Sequence, residues 1–166
     1  MAHKALFLDR DGVINIDTHY AHRIDDFVLV PGILELCRQA QDKGYLLIVV
    51  TNQSGIERGL FSEEDYQLFT QHMRNVFAKQ QISIKDVFHC PSLNHEDRKP
   101  RVGMFLKAQV KYDIDMASSL NVGDKERDIT AGINAGVGRN YLYSHDRLPS
   151  HATAIVSSLT EIIPSL

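Results

Sequence analysis

The sequence contains only two cysteines, Cys37 and Cys90, among its 166 residues. Cys37 falls in an apolar helical pattern and Cys90 closes an apolar run, so there is no disulfide framework and a reducing compartment is expected. Charge of one sign is not concentrated either. The 18 basic and 21 acidic residues are interspersed, the net charge is -3, and no basic tract offers an electrostatic path for nucleic acid. No run approaches the roughly 20 apolar residues that cross a bilayer, and the first residues do not resemble a secretory leader. These absences predict a cytoplasmic protein with neither a membrane nor a nucleic acid as partner. Repeats and low-complexity linkers are also missing. With 43% hydrophobic residues the chain is long enough to bury one core, and residues 1–166 are read as a single domain.

What is present is an alternation of short apolar runs with longer helical patterns. Residues 4–9 read as a buried strand ended by Asp9, Arg10, Asp11 and Gly12. After Pro31, the spacing of Ile33, Leu36, Cys37 and Ala40 predicts a helix with one apolar face, stopped at Gly44. Residues 45–51 form the clearest central strand, followed by a polar turn to Gly59. Ser62 and Asp65 then make a capping box for a helix expected to bury Tyr66, Phe69, Met73, Val76 and Phe77. Strands are expected at 86–90, 118–122, 141–143 and 154–156, and helices at 104–112 and 126–135. Ser158 and Glu161 are read as capping a terminal helix. This alternation predicts a three-layer α/β fold with a mostly parallel sheet.

The polar residues fall where the strands end. Asp9 and Asp11 terminate the first, Thr51 and Asn52 the central one, Lys99 follows the third and Asp124 the fourth. In a doubly wound sheet these carboxyl ends converge on one crevice. A single aspartate there is most often a turn or helix cap, but four clusters of complementary chemistry point to a site. Asp9, Asp11 and Asp124 are hard oxygen donors whose mutual repulsion a divalent cation relieves, and Mg2+ suits such a set beside a phosphate. Gly123 permits close approach of the chain, and Asp128 is read either as orienting the metal or its waters from outside the ligand set, or as a charge at a helix start. Thr51, Asn52 and Lys99 can hold the oxygens of a transferring phosphoryl group. Asp9 is the candidate nucleophile, and Asp11 the acid that protonates the leaving alkoxide and then the base that activates water.

Four motifs carry a family resemblance: Phe7-Leu8-Asp9-Arg10-Asp11-Gly12-Val13-Ile14-Asn15, Val50-Thr51-Asn52-Gln53-Ser54-Gly55-Ile56, Arg98-Lys99-Pro100 and Val122-Gly123-Asp124-Lys125-Glu126-Arg127-Asp128. In this order they resemble the motifs of haloacid-dehalogenase-superfamily phosphatases. The wording around Gly59, Phe61, Gly103 and Met104 is similar to the branch that holds heptose 1,7-bisphosphate and histidinol-phosphate phosphatases. The resemblance covers about residues 5–143 and implies a Rossmann-like fold with only loop caps, usually as a monomer. It implies Mg2+ held by Asp9, the backbone carbonyl of Asp11 and Asp124, phosphate contacts from Thr51 and Lys99, and substrate-facing positions at Asn52 and Arg98. It also implies hydrolysis at C7 of the heptose bisphosphate, in the supply of heptose to lipopolysaccharide, capsule or another glycoconjugate. Gln53, Ser54 and Arg98 add polar groups beyond what one phosphate needs, which favours a small sugar bisphosphate. A histidinol-phosphate phosphatase, another sugar-phosphate phosphatase and an inactive sugar-phosphate binding protein are the alternatives. A two-component receiver is disfavoured because its phosphorylated Asp ends the third strand.

One departure stands out. The resembling proteins carry a structural Zn2+ loop built on Cys-Pro-His-His and a later Cys-x-Cys. Here the segment is Cys90-Pro91-Ser92-Leu93-Asn94-His95-Glu96-Asp97 before Arg98. One thiolate with His95 and Asp97 is a poor match to structural zinc chemistry, so Zn2+ is not expected. Tyr20 and His22 are read either as substrate contacts or as exposed loop residues.

Overall fold

The computed structural model describes residues 2–166. Strand β1 (Ala5–Leu8) is buried along its whole length, which requires cover on both sheet faces. Its side chains alternate. Leu6 and Leu8 join one core with Ile33, Leu36, Cys37 and Ala40 of α1 (Ile33–Asp42) and Met73 and Phe77 of α2 (Glu63–Lys79). Ala5 and Phe7 join the opposite core with Met104, Phe105 and Ala108 of α3 (Gly103–Tyr112). Strand β2 (Leu46–Asn52) repeats the alternation, with Leu47 and Val49 on the first face and Ile48 and Val50 on the second. The period of two in these apolar runs therefore fills two cores at once.

The remaining elements are β3 (Ile84–Cys90), β4 (Leu120–Gly123), α4 (Glu126–Asn134), β5 (Arg139–Tyr143) and β6 (Ala154–Val156). All six strands run parallel in the order β3-β2-β1-β4-β5-β6. The chain leaves β1 toward β2 and β3, then returns to add β4 on the other side of β1. That reversal leaves a crevice beyond the carboxyl ends of β1 and β4. Its walls are connections: the segment 9–32, which carries only a short 3-10 turn at Ile24–Asp26, and the loops 53–62 and 91–102.

Local signals act where the sequence places them. Ser62 Oγ accepts from the Asp65 amide at 3.0 Å, Asp65 returns a bond to the Ser62 amide at 2.9 Å, and α2 starts there. Gly44 ends α1 with φ 85°, a conformation open to glycine. Three details differ from expectation. Val76 is half-buried, because α2 presents Met73 and Phe77 to the core and Val76 sits at the edge of that stripe. Ser118 belongs to a 3-10 turn capped by Asp115, so β4 begins at Leu120. The terminal helix is a 3-10 segment, Leu159–Ser165, that contains Pro164; Glu161 still accepts from the Ser158 amide.

Candidate active site

Asp9 leaves β1 with its amide bonded to the Val122 carbonyl of β4 at 3.1 Å, which keeps it in register with the neighbouring strand. The turn that follows is closed by the Gly12 amide on the Asn15 carbonyl at 2.7 Å and the Ile14 amide on the Arg10 carbonyl at 2.8 Å. Gly12 has φ 90°, and a β-carbon there would collide with the Asp124 carboxylate. A β-carbon on Gly123 would collide with Asp128. Glycines at these two places let the β1 and β4 loops meet.

Lys99 is the hub of the charge network. Only 2% exposed, its ammonium donates to Asp128 Oδ1 at 2.7 Å, to Asp9 Oδ1 at 3.2 Å and to the Val50 carbonyl at 2.7 Å. Burial opposes its charge, but Asp128 and Asp9 outweigh it and hold the lysine above its ordinary pKa. Asp128 spends its other oxygen on the amides of Asp124 and Lys125, at 3.1 and 3.0 Å, at the start of α4. Burial, then Asp128, push Asp9 well above the usual carboxylate range against the pull of Lys99. The same two causes raise Asp124 to about 6.

Potential metal-ligand atoms of Asp9, Asp124 and Asp128 lie within 4.8 Å of one another, and no other His, Cys, Asp or Glu group of this kind occurs among the described residues. With Asp128 engaged by Lys99 and two amides, Asp9 and Asp124 remain as the carboxylates available to a cation. Burial and the charge of Asp128 disfavour ionisation of both Asp9 and Asp124, a cost that a hard divalent ion relieves, so these residues fit Mg2+. Cys90, His95 and Asp97 are not gathered in this way. Cys90 Sγ is directed to the Ser92 carbonyl at 3.6 Å, while Asp97 is engaged by Lys107 and its amide by His95 Nδ1 at 3.0 Å.

The residues expected to act in catalysis or to bind metal, phosphate and substrate line one polar cleft of about 280 Å³: Asp9, Asp11, Thr51, Asn52, Gln53, Ser54, Arg98, Lys99, Asp124 and Asp128. Within it, Asn52 has a job its type did not reveal, since its amide bonds the backbone of Lys99 through both its nitrogen and its oxygen. Thr51 Oγ1 accepts from Gln53 Nε2 at 3.0 Å. Arg58, Lys125 and Arg127 also line the cleft, together with Asp17, His19 and Tyr20. Sequence reasoning passed over the three cations, although all lie inside or beside the motifs it quoted. Tyr20 reaches the cleft, whereas His22 stacks on Phe61 with ring centres 5.1 Å apart and is not part of the lining.

Comparison with known proteins identifies the family. The sequence family described as polynucleotide kinase 3 phosphatase matches residues 7–144. The D-glycero-alpha-D-manno-heptose-1,7-bisphosphate 7-phosphatase of Campylobacter jejuni is 45% identical over 98% of this chain and 95% of its own. The chain belongs to the heptose-bisphosphate phosphatase family of the haloacid-dehalogenase superfamily. A family member from Vibrio cholerae named for the beta anomer is also 45% identical, over 86% of this chain and 82% of its own. Among solved structures, the D,D-heptose 1,7-bisphosphate phosphatase of B. bronchiseptica, complexed with magnesium and phosphate, superposes with TM-score 0.87. It is 28% identical, over 98% of this chain and 97% of that one. The family thus brings together relatives named for both anomers and a fold that coincides with this one over nearly its full length.

Proposed function

We propose that this chain is a Mg2+-dependent phosphatase that removes the C7 phosphate of D-glycero-D-manno-heptose 1,7-bisphosphate through a phosphoryl group carried on Asp9. The observation that carries this reading is the convergence of Asp9, Asp124 and the Lys99 ammonium at one end of the parallel sheet, with Asp11 lining the same cleft. Asp9, Asp124 and the Asp11 backbone carbonyl would hold the ion. When bound, Mg2+ supplies positive charge that offsets the carboxylates and the phosphoryl oxygens.

The residues divide the work as follows. The Asp9 carboxylate attacks phosphorus, and the bond from phosphorus to the sugar oxygen breaks with its electron pair on that oxygen. Asp11, as the acid, gives that oxygen its proton, and the dephosphorylated sugar leaves. Asp11, now a carboxylate, takes a proton from water as the water attacks the phosphoryl-Asp9, and inorganic phosphate departs with Asp9 restored. Lys99 and the Thr51 hydroxyl face the transferring oxygens and stabilise charge as it spreads over them. Asp128 keeps Lys99 charged and in place.

The second phosphate of the substrate has its own counterpart. Among the described residues, Arg58, Arg98 and Arg127 of the cleft have no carboxylate within 4.0 Å, and Arg98 Nη1 is buried without a hydrogen-bond partner. Guanidinium groups left over after the protein's own pairing suit a retained C1 phosphate. Ser54 faces the sugar hydroxyls, whereas Gln53, expected from the sequence to contact substrate, is buried with its amide committed to Asp11, Thr51 and Arg10. The protein is taken to act as a single domain and a monomer in the cytoplasm, without nucleic acid. No helix among the described residues is long and apolar enough to cross a membrane.

The test is kcat/KM for both anomers of the heptose bisphosphate, fructose 1,6-bisphosphate, histidinol phosphate and an aryl phosphate, with the retained phosphate located by phosphorus NMR. A heptose anomer should lead, leaving the C1 phosphate in place. Preference for histidinol phosphate by more than about tenfold, roughly 1.4 kcal/mol of transition-state discrimination, would overturn the substrate while leaving the phosphatase chemistry intact.

A further inference from the structure

Arg10 stands between the two catalytic aspartates and is fully buried, yet no step above uses it. Its Nε donates to Asp11 Oδ1 and its Nη2 to Asp11 Oδ2, each at 3.0 Å, so the guanidinium grips the carboxylate along one edge. Nη2 also reaches the Ala21 carbonyl at 2.8 Å and Gln53 Oε1 at 3.2 Å. The guanidinium carbon lies 4.3 Å from the centre of the Phe69 ring, which packs against the cation. Two neutral amides complete the set. Asn15 Nδ2 donates to Asp11 Oδ1 at 3.0 Å, and Gln53 Nε2 to Asp11 Oδ2 at 3.1 Å.

We infer that Arg10 is the positioning residue for the Asp11 acid/base, fixing the orientation of its carboxyl group and tying it to the cleft-wall segment that ends at Ala21. The inference rests on the proposed role of Asp11. The paired, charge-assisted bonds from Arg10 occupy one lone pair on each oxygen, and a neutral amide holds the other. The neutral bonds are the weaker ones. One of them gives way when a proton or the leaving oxygen takes its place, while the guanidinium keeps the group aimed. Lysine cannot reproduce this grip, because an ammonium is a point charge without a planar fork. Ala21 follows His19 and Tyr20, two cleft-lining residues with φ 60° and 58°, so the same guanidinium also links Asp11 to the part of the wall that borders the substrate.

A purely structural arginine and a positioning arginine differ in one measurable respect. Loss of structure lowers turnover of every substrate alike. Misplacing the acid is selective: it slows the departure of a poor alkoxide leaving group and largely spares an aryl oxide that leaves without a proton. The readout is the ratio of kcat/KM for an alkyl phosphate, the heptose bisphosphate or another sugar phosphate, to that for p-nitrophenyl phosphate.

Arg10→Lys should lower this ratio by about tenfold or more, and Asp11→Asn should lower it at least as far. In the double variant, Arg10→Lys should change the ratio by less than about twofold beyond Asp11→Asn, since residues acting as one unit are not additive. Because substitution of a fully buried arginine endangers folding, Gln53→Met supplies a second arm. It removes an acceptor of Arg10 and a donor to Asp11 together, and should lower the ratio by about threefold alone and not at all in the Asp11→Asn background. Equal losses on both substrates, or full additivity with Asp11→Asn, would overturn the positioning role. An Asp11→Asn variant with an unchanged ratio would overturn the acid role itself, and the inference with it.

Discussion

Asn52 and Lys99 are clasped by a pair of hydrogen bonds: Asn52 Nδ2 donates to the Lys99 carbonyl at 3.1 Å, and Asn52 Oδ1 accepts from the Lys99 amide at 2.9 Å. A side chain at the end of β2 thereby completes the backbone of a loop 47 positions away, the loop that delivers the cationic end of Lys99 to Asp9. The amide is matched to a peptide group, donor to acceptor and acceptor to donor. A carboxylate or an alkyl group at this position offers only half of that match or none.

Asn52→Leu should therefore act through Lys99. It leaves a peptide N-H and C=O without partners, a cost of about 1 to 3 kcal/mol in stability where they are buried. Activity should fall about tenfold or more on sugar and aryl phosphates alike, because Lys99 faces the phosphoryl group common to both. Chemical denaturation and steady-state kinetics check the two parts. In a Lys99→Met background the Asn52 substitution should add little; a large further loss would mean that Asn52 contacts substrate directly.

Asp128→Asn tests the buried ion pair. Lys99 and Asp128 have side chains 2% exposed and an N-to-O distance of 2.7 Å, so the substitution leaves a buried ammonium with Asp9, at 3.2 Å, as its one remaining carboxylate. Breaking such a pair costs about 3 to 5 kcal/mol. The midpoint of urea unfolding should drop accordingly, and the Lys99 pKa should fall because the first charge that raises it against burial is gone. A variant as stable as the wild type would show that the pair contributes nothing net.

The metal site predicts a pH dependence. In the metal-free protein the Asp124 pKa lies at about 6, above its ordinary 3.8, because burial and then Asp128 disfavour its charge. A raised carboxyl contributes stability that is complete below the unfolded value, near 4, and is lost as pH rises through about 6. The metal-free protein should thus lose part of its stability across that window, with Asp9 acting in the same direction. Mg2+ needs the ionised carboxylates, so it should raise the melting temperature little at pH 5 and clearly at pH 7.5, releasing protons on binding near pH 6. Melting curves with Mg2+ or a chelator at several pH values decide this. Chelation should abolish activity without unfolding the chain, and purified protein should contain far less than one Zn2+ per chain. Stoichiometric zinc whose removal collapses the melt would point instead to Cys90, His95 and Asp97.

Gly12→Ala probes the meeting of the two loops. The new methyl group would sit at φ 90°, which L-residues adopt only with strain, and would press into the Asp124 carboxylate. Strain alone costs about 1 to 3 kcal/mol. The apparent Mg2+ affinity, measured by activity titration, should weaken together with stability. An alanine variant with unchanged metal dependence would mean that the loops part without consequence for the site.

The order of strands and helices was legible in the sequence because its cause is local: periods of two and of 3.6, the Ser62–Asp65 box and the stop at Gly44 each act within a few residues. The chemical types at the strand ends were legible as well, since a nucleophilic carboxylate, an acid and a phosphate-binding lysine cannot be exchanged for neighbours of similar polarity. Tertiary structure alone decided how those groups divide their bonds. Asn52 resembles a phosphate ligand until Lys99 is folded against it, and Arg10 resembles a surface cation until the walls of the cleft enclose it around Asp11. The pKa of Asp124 likewise depends on Asp128 and on burial, quantities that exist only after β1 and β4 lie side by side. Hydrogen bonds and charge interactions fall off within a few ångströms, so their partners are set by distance in space, which sequence separation does not encode.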